Sequence, residues 1–354
     1  EGFFYMMKVT LTNEILSYIT EIEHNRYKVS SVKLSKPVMN RLRKNSKKKS
    51  SYASNKIEGN PLSEKQVDEV IERDERKHYL KPEQEVRNYF LALNFLEEKV
   101  SKKEKFSQKL ILDVQKLVEK GASKEKIGLR GPMPPGVLFA VYDSKTGNPD
   151  YIPPEYCDIP ELLDELVEYV NTTDDHPLIV AAVVHYQLVT IHPFEDGNGR
   201  TARLLSGYIM DLNGYGFNGI GSLEEYFAYD IDEYYESIQM GLPALYYSGR
   251  ENPPHPEIWI NYFLRMVKLY SGKVCDLQLA SEEEDIAGSL SFLKGKEKEL
   301  LQFLIRNYRG EFTPIEVSRE LSVSNKTVIN RLAVLVKTDL QFPYLQIKES
   351  GLTN

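Results

Sequence analysis

Along most of this chain, apolar residues recur at spacings of three and four. VRNYFLALNFLEEKV, QKLILDVQKLVEKG, IPELLDELVEYVNTT and PEIWINYFLRMVKLY each place their apolar side chains on one stripe of a helix. LIVAAVVHYQLVTI is different, being apolar nearly all round, and so predicts a helix buried at the centre of the fold. The helical period breaks between Gly128 and Pro154. There RGPMPPG supplies Pro and Gly, VLFAVYD alternates as a strand, and SKTGNPD offers turn residues before YIPP, a pattern that predicts a β-hairpin. The segment SGKVCDLQLASEEEDIAGSLSF is long and charged and reads as a helical connector. From Lys294 onward a small separate unit is expected.

Composition narrows the class. The chain has 354 residues, 41% of them hydrophobic, enough for two or three domains with sizeable cores. A net charge of -7 and a pI near 5.6 argue against a generic polyanion binder. The basic run RLRKNSKKK, Arg41 to Lys49, lacks interleaved aromatics and reads as a solvated helix face or exposed turn rather than a nucleic-acid contact. Two distant cysteines, Cys157 and Cys275, form no CxxC, so a reducing compartment fits better than a disulfide framework. EGFFYMMKVT has neither the basic leader nor the cleavage pattern of a signal peptide, and LIVAAVV is too short to span a bilayer. A soluble, cytoplasmic protein without membrane partners is the expectation.

The chemistry concentrates in IHPFEDGNGRTARLL, Ile191 to Leu205, between the buried helix and a second one. Pro193 pushes His192 out of helical geometry, and Phe194 would anchor the loop in the core. Gly197, Asn198 and Gly199 permit close backbone approach and positive φ, so that successive N–H groups can converge on an anion. The helix that follows presents its positive end to phosphate, with Arg200 and Arg203 as forked donors near its first turn. Asp196 offers a hard carboxylate oxygen to Mg²⁺. A His beside such a site could deprotonate an accepting hydroxyl.

At these residues the sequence resembles the Fic family, whose signature His-x-Phe-x-Asp/Glu-Gly-Asn-Gly-Arg-x-x-Arg is matched at every specified position from His192 to Arg203. A helix-loop-helix with an incidental His explains none of that spacing. The resemblance implies a mainly α fold, a Fic helical core with a β-hairpin flap; about the last sixty residues separately resemble a small C-terminal winged-helix domain. The Fic resemblance implies adenylyl transfer from ATP, with Mg²⁺, to a Ser, Thr or Tyr hydroxyl of a target protein; a tyrosine of this chain itself is left open as a target. By position His192 is the general base and Asp196 the metal ligand. Asn198 and the backbone from Gly197 to Gly199 cradle the phosphates, with Arg200 and Arg203 on the outer ones. Gly199 stands where kinase-like relatives carry Lys, which favours nucleotidyl transfer.

Upstream, SNKIEGN places Ser54 and Glu58 four residues apart, on one face of a helix whose end Gly59 suits. An ordinary helix terminus reads the same way. The stretch also resembles the family's inhibitory helix, Ser/Thr-x-x-x-Glu-Gly/Asn, in which Glu58 pairs with Arg203 and fills the space of the γ-phosphate. In some members the same glutamate supports removal of adenylyl groups. The hairpin lies where the family has a flap that docks its target, with Phe139, Ala140, Val141 and Tyr142 as the contact residues. Tyr234 and Tyr235 resemble the family's adenine-side Tyr-Tyr element, although Asp230 and Ile231 replace its usual Asn and basic residue. His185, on the apolar helix, reads as a buried structural histidine.

The expected division is residues 1–110 as an N-terminal helical region with the inhibitory helix, 111–270 as the catalytic core, 271–293 as the connector and 294–354 as a winged helix-turn-helix-like domain. In the last, Thr313-Pro314 opens a helix, Ser322-Val323-Ser324 turns, Asn325 to Val336 forms a second helix, and FPYLQIKESG hints at a wing. Ten Lys and Arg against seven Asp and Glu make it weakly basic, which permits DNA or protein contact. A nucleotide-sensing DNA-binding regulator, or an enzyme that removes adenylyl groups, are the alternative readings. The sequence leaves the target and the oligomeric state, including a homodimer, open.

Overall fold

Local signals start the helices where the period predicts. In this computed structural model Thr12, Ser107 and Thr313 cap the helices that follow them, and Ser63 forms a reciprocal capping box with Gln66. Proline occupies the first turn at Pro37, Pro82, Pro160 and Pro177, where its missing N–H costs nothing. The structure describes residues 6–337 except 74–75, 77, 124–125, 143–145, 243–252, 254, 290–294 and 309–310, together with 346–347.

In chain order the elements are α1 (Asn13–Ser31), α2 (Lys36–Ile57), α3 (Glu64–Glu72), α4 (Lys81–Ser101), α5 (Gln108–Glu119), β1 (Val141–Tyr142), β2 (Pro149–Tyr151), α6 (Ile159–Thr172), α7 (Pro177–Ile191), α8 (Asn198–Leu212), α9 (Glu224–Tyr229), α10 (Ile231–Gln239), α11 (Pro256–Ser289), α12 (Lys296–Asn307), β3 (Glu311–Phe312), α13 (Pro314–Glu320), α14 (Asn325–Lys337) and β4 (Gln346–Ile347). The fold is mainly helical, as expected. It forms two compact units, residues 1–278 and 279–354. α11 is one continuous helix, so the segment read as a separate connector begins inside it.

In the larger unit α7 is the central helix. Thirteen of its residues are buried, and α8 packs along it. α6 covers another side of α7, while α4 and α5 pack against α8. Trp259 of α11 is fully buried and donates its indole N–H to the Ala182 carbonyl at 2.8 Å. His185 sits beneath it, with ring centroids 4.9 Å apart, as the buried histidine that the sequence suggested.

α2 docks differently, through Ser46, Ser50, Ser51, Ser54 and Asn55 as well as Ala53 and Ile57. The basic run lies within it and is not simply a solvated face. Lys48 is buried against Glu72 at 2.7 Å and Asp68 at 3.5 Å, Lys47 pairs with Glu97 and Asn94, and Lys49 reaches Glu225 at 3.2 Å. These carboxylates come from α3, α4 and α9, a long-range supply that the local sequence could not display.

The hairpin is shorter than the alternating pattern suggested. β1 and β2 pair antiparallel, Val141 opposite Tyr151 and Tyr142 opposite Pro149, with an irregular register. Phe139 and Ala140 precede the strand, and part of the expected turn, 143–145, lies outside the described residues. In the smaller unit, Leu300, Leu304, Phe312, Val317, Val328 and Leu332 form a core among α12, α13 and α14. Ser322, in the turn between α13 and α14, adopts φ +54. β3 pairs with β4, and the rest of the expected wing lies outside the described residues. Among the described residues no helix is long and apolar enough to cross a membrane.

Candidate active site

The turn between α7 and α8 gathers the polar residues of the signature. His192 caps α7 in the left-handed region, φ +49 and ψ 57, with its N–H still bonded to the Leu188 carbonyl at 3.1 Å. Its Nδ1 lies 3.2 Å from the Val189 carbonyl oxygen. If Nδ1–H donates there, Nε2 is left as the basic nitrogen. Burial pulls the imidazole down to about 4; the Val189 contact opposes this and Arg130 adds to it. The ring is therefore neutral near pH 7.

Phe194 anchors the loop, fully buried. Asn198 spends its side chain on that anchor, accepting from the Phe194 N–H at 3.0 Å and donating to the Phe194 carbonyl at 2.9 Å. Its amide thus shapes the loop rather than facing outward, which differs from the expected phosphate contact. Gly197, at φ +79, is the N-cap of α8, and the first bond of the helix runs from Thr201 N–H to Gly197 C=O. The N–H groups of Asn198, Gly199 and Arg200 precede that bond, the usual arrangement of an anion site. Position 197 favours glycine, since its φ is positive and a Cβ there would lie 2.7 Å from Glu119 Oε1, whereas a Cβ at Gly199 would meet the movable carboxylate end of Glu58.

Arg200 also points elsewhere than the spacing implied. It is buried and bonds Glu119 of α5 at 2.8 Å, with Asp196 at 3.5 Å and Glu85 of α4 at 3.9 Å. Burial pushes the Glu119 carboxyl up to about 7, while Arg200 opposes that shift. Glu119 and Glu85 are site residues that the sequence reading did not find, because no local spacing links them to Arg200. Asp196 accepts the Gly197 N–H at 2.8 Å and lies 3.3 Å from the Lys126 ammonium. Burial opposes its ionisation, but Arg200, the Gly197 N–H and Lys126 together hold it below the ordinary carboxylate range.

Arg203, one turn further along α8, is buried and meets α2. Its Nε donates to Ser54 Oγ at 2.8 Å, and its Nη2 donates to the Ser54 carbonyl at 3.1 Å and to Glu58 Oε1 at 2.5 Å. Ser54 and Glu58 thus do share the face their spacing predicts, and that face closes on Arg203. Behind it, the Tyr234 hydroxyl lies 3.4 Å from Arg203 Nη1 and 2.8 Å from His185 Nε2. Tyr234 is buried, bracing Arg203 from the core, whereas Tyr235 beside it is 48% exposed.

The flap leans on the loop. Arg130 donates to the carbonyls of His192 at 2.8 Å and of Pro154, and its guanidinium sits 4.8 Å from the Phe139 ring centre. Phe139 is 6.0 Å from the His192 ring, and Tyr142 is 60% exposed. Arg130 is another residue the motif did not flag.

The fold and loop define a helical protein with a histidine beside the N-terminus of a buried helix. Residues 104–210 match the Fic/DOC family. Protein adenylyltransferase fic-1 of Caenorhabditis elegans is 46% identical over 67 residues, 18% of this chain and 13% of that protein. Protein adenylyltransferase Fic of Drosophila grimshawi is 26% identical over 204 residues, 56% of this chain and 40% of that protein. The matched segment thus spans well under half the length of either relative. A solved Fic family protein from Desulfovibrio desulfuricans superposes with a TM-score of 0.62 at 22% identity, covering 95% of this chain and 92% of that one. The Fic-1 structure from Caenorhabditis elegans gives 0.58 at 24% identity, covering 76% and 73%. At these identities the structural likeness speaks for the fold.

Proposed function

We propose that this chain is a protein adenylyltransferase restrained by its own α2. The observation that carries the reading is the closure of Ser54 and Glu58 on Arg203, in the site that also holds a neutral His192. The two curated relatives described above bear the name protein adenylyltransferase.

In this reading the first-turn N–H groups of α8 hold the ATP polyphosphate. His192 Nε2 takes the proton of a target Ser, Thr or Tyr hydroxyl as the oxygen attacks the α-phosphorus. The bond from that phosphorus to the β-bridging oxygen breaks, and pyrophosphate leaves. Asp196 fits a divalent cation that arrives with phosphate, since it supplies one part-exposed carboxylate held ionised by Arg200, the Gly197 N–H and Lys126. Such an ion, Mg²⁺ in the family reading, neutralises charge developing on the phosphates when bound. Arg200, turned toward Glu119, stiffens the loop, while Arg203 is the arginine available to the terminal phosphate once Glu58 withdraws. The residues from Phe139 to Tyr142 present the target segment to His192.

The test is transfer of label from α-phosphate-labelled ATP to protein in cell lysate, comparing parent, Glu58→Gly and Glu58→Gly/His192→Ala. Label that appears with the first variant and vanishes with the second supports the proposal. Absence of label in all three, with ATP binding intact, rejects it.

A further inference from the structure

We infer that Lys126 is a placeholder cation at Asp196, occupying the carboxylate in the free protein so that a divalent metal enters with its nucleotide and not ahead of it. The inference rests on the reading of Asp196 as the metal ligand.

Three observations carry it. First, both oxygens of Asp196 are already engaged. Oδ2 faces the Lys126 ammonium at 3.3 Å, while Oδ1 accepts the Gly197 N–H at 2.8 Å and faces Arg200 at 3.5 Å. A divalent ion arriving alone would meet two cationic side chains around a single carboxylate. Glu119, the acid on the other side of Arg200, binds that guanidinium through Oε1 at 2.8 Å.

Second, the placement of Lys126 is built in from the core. Gln115 of α5 is fully buried, and its Nε2 donates to the carbonyl oxygens of both Lys126, at 2.8 Å, and Asp196, at 3.3 Å. Its Oε1 accepts the Gly128 N–H at 3.1 Å. One buried amide therefore fixes the Lys126 segment and the Asp196 backbone together. A buried amide with its donors and acceptor engaged holds a fixed geometry, because releasing it would strand polar groups.

Third, the pair can open. The Lys126 side chain is 42% exposed and that of Asp196 31%, so the ammonium is free to swing into solvent or onto phosphate. A triphosphate adds several negative charges beside the loop, repaying the metal for the displaced lysine. Metal and nucleotide then strengthen each other's binding by a common factor, as linkage requires. Removing the lysine weakens that coupling by relieving its repulsion of a nucleotide-free metal.

The experiment uses the full chain and Mn²⁺ as the probe, with free Mn²⁺ read by electron paramagnetic resonance, without nucleotide and with an ATP analogue whose α,β-bridge cannot be cleaved. The proteins are parent, Lys126→Gln, Lys126→Arg, Asp196→Asn and Lys126→Gln/Asp196→Asn. Lys126→Gln is expected to bind Mn²⁺ about fivefold tighter without nucleotide, the scale of a part-exposed ion pair. Lys126→Arg should behave as parent, and the gain should vanish in the double variant. Equal nucleotide-free affinity in parent and Lys126→Gln overturns the placeholder role, as does a gain that survives in the double variant. Nucleotide-dependent Mn²⁺ binding that is undiminished in Asp196→Asn instead overturns the reading of Asp196 itself, so the two failures are separable.

Discussion

Replacing Glu58 by glycine isolates one contact with a defined geometry. Glu58 caps α2 at φ -85 and ψ 11, so glycine fits the backbone, and the side chain it removes makes the 2.5 Å bond to Arg203. Ser54 continues to hold Arg203 through two further bonds, at 2.8 and 3.1 Å, so the guanidinium keeps its place while losing its carboxylate. A hydrogen bond involving a charged group contributes roughly 1.5–3 kcal/mol, which a phosphate must otherwise displace. The variant is therefore expected to transfer label from α-phosphate-labelled ATP roughly ten- to a hundredfold faster than parent. Glu58→Gln, which keeps an acceptor without the charge, should fall between them. Direct measurement of ATP affinity by fluorescence would show the same order. If Glu58→Gly bound ATP no better and transferred no faster than parent, the restraint assigned to this contact would be refuted.

Other outcomes follow from the same geometry. Because burial pulls His192 down to about 4, its neutral, proton-accepting form should persist as pH falls through 6.5 and be lost only near 4. Histidine ring resonances, assigned with His192→Ala, check this, and a His192 titration at 6 to 7 contradicts it. The linked effect on stability has a definite sign: the unfolded chain takes up this proton near 6.5 and the folded chain does not, so this group lowers stability as pH falls from about 6.5 toward about 4. Gly197→Ala should cost at least about 1 kcal/mol in urea unfolding and abolish ATP-analogue binding, since φ is +79 and the new Cβ meets Glu119. Trp259→Ala should cost about 3–5 kcal/mol in the same unfolding assay, through a cavity beside α7 and a lost bond to Ala182.

Much of the molecule was legible from local pattern. The all-round apolar α7, the amphipathic α4, α5 and α6, and the break before the hairpin followed from spacing alone. So did the crowding of His192, Asp196 and Arg203 at one loop, because twelve consecutive residues can hardly lie far apart. The hairpin came out shorter than its alternation implied, with pairing confined to Val141–Tyr142 and Pro149–Tyr151 and its register irregular. The outward or inward direction of each polar side chain was not legible.

The sequence by itself determined the helical period, the caps, the glycines that let the loop turn, and the Ser54–Glu58 face, all of which depend on neighbours within a few residues. Tertiary structure decided what those groups meet. Arg200 turned inward because Glu119, 81 residues earlier, is buried beside it, and Arg203 closed on α2 because Ser54 lies 149 residues away in sequence but in contact in space. Asn198 closed its own loop, Lys126 came to Asp196 through the buried amide of Gln115, and the basic run found its carboxylates on α3, α4 and α9. The physical reason is common to all of these: a buried charge or amide must be matched wherever the packed helices bring a partner, and that choice is made across the core, beyond the reach of any local spacing.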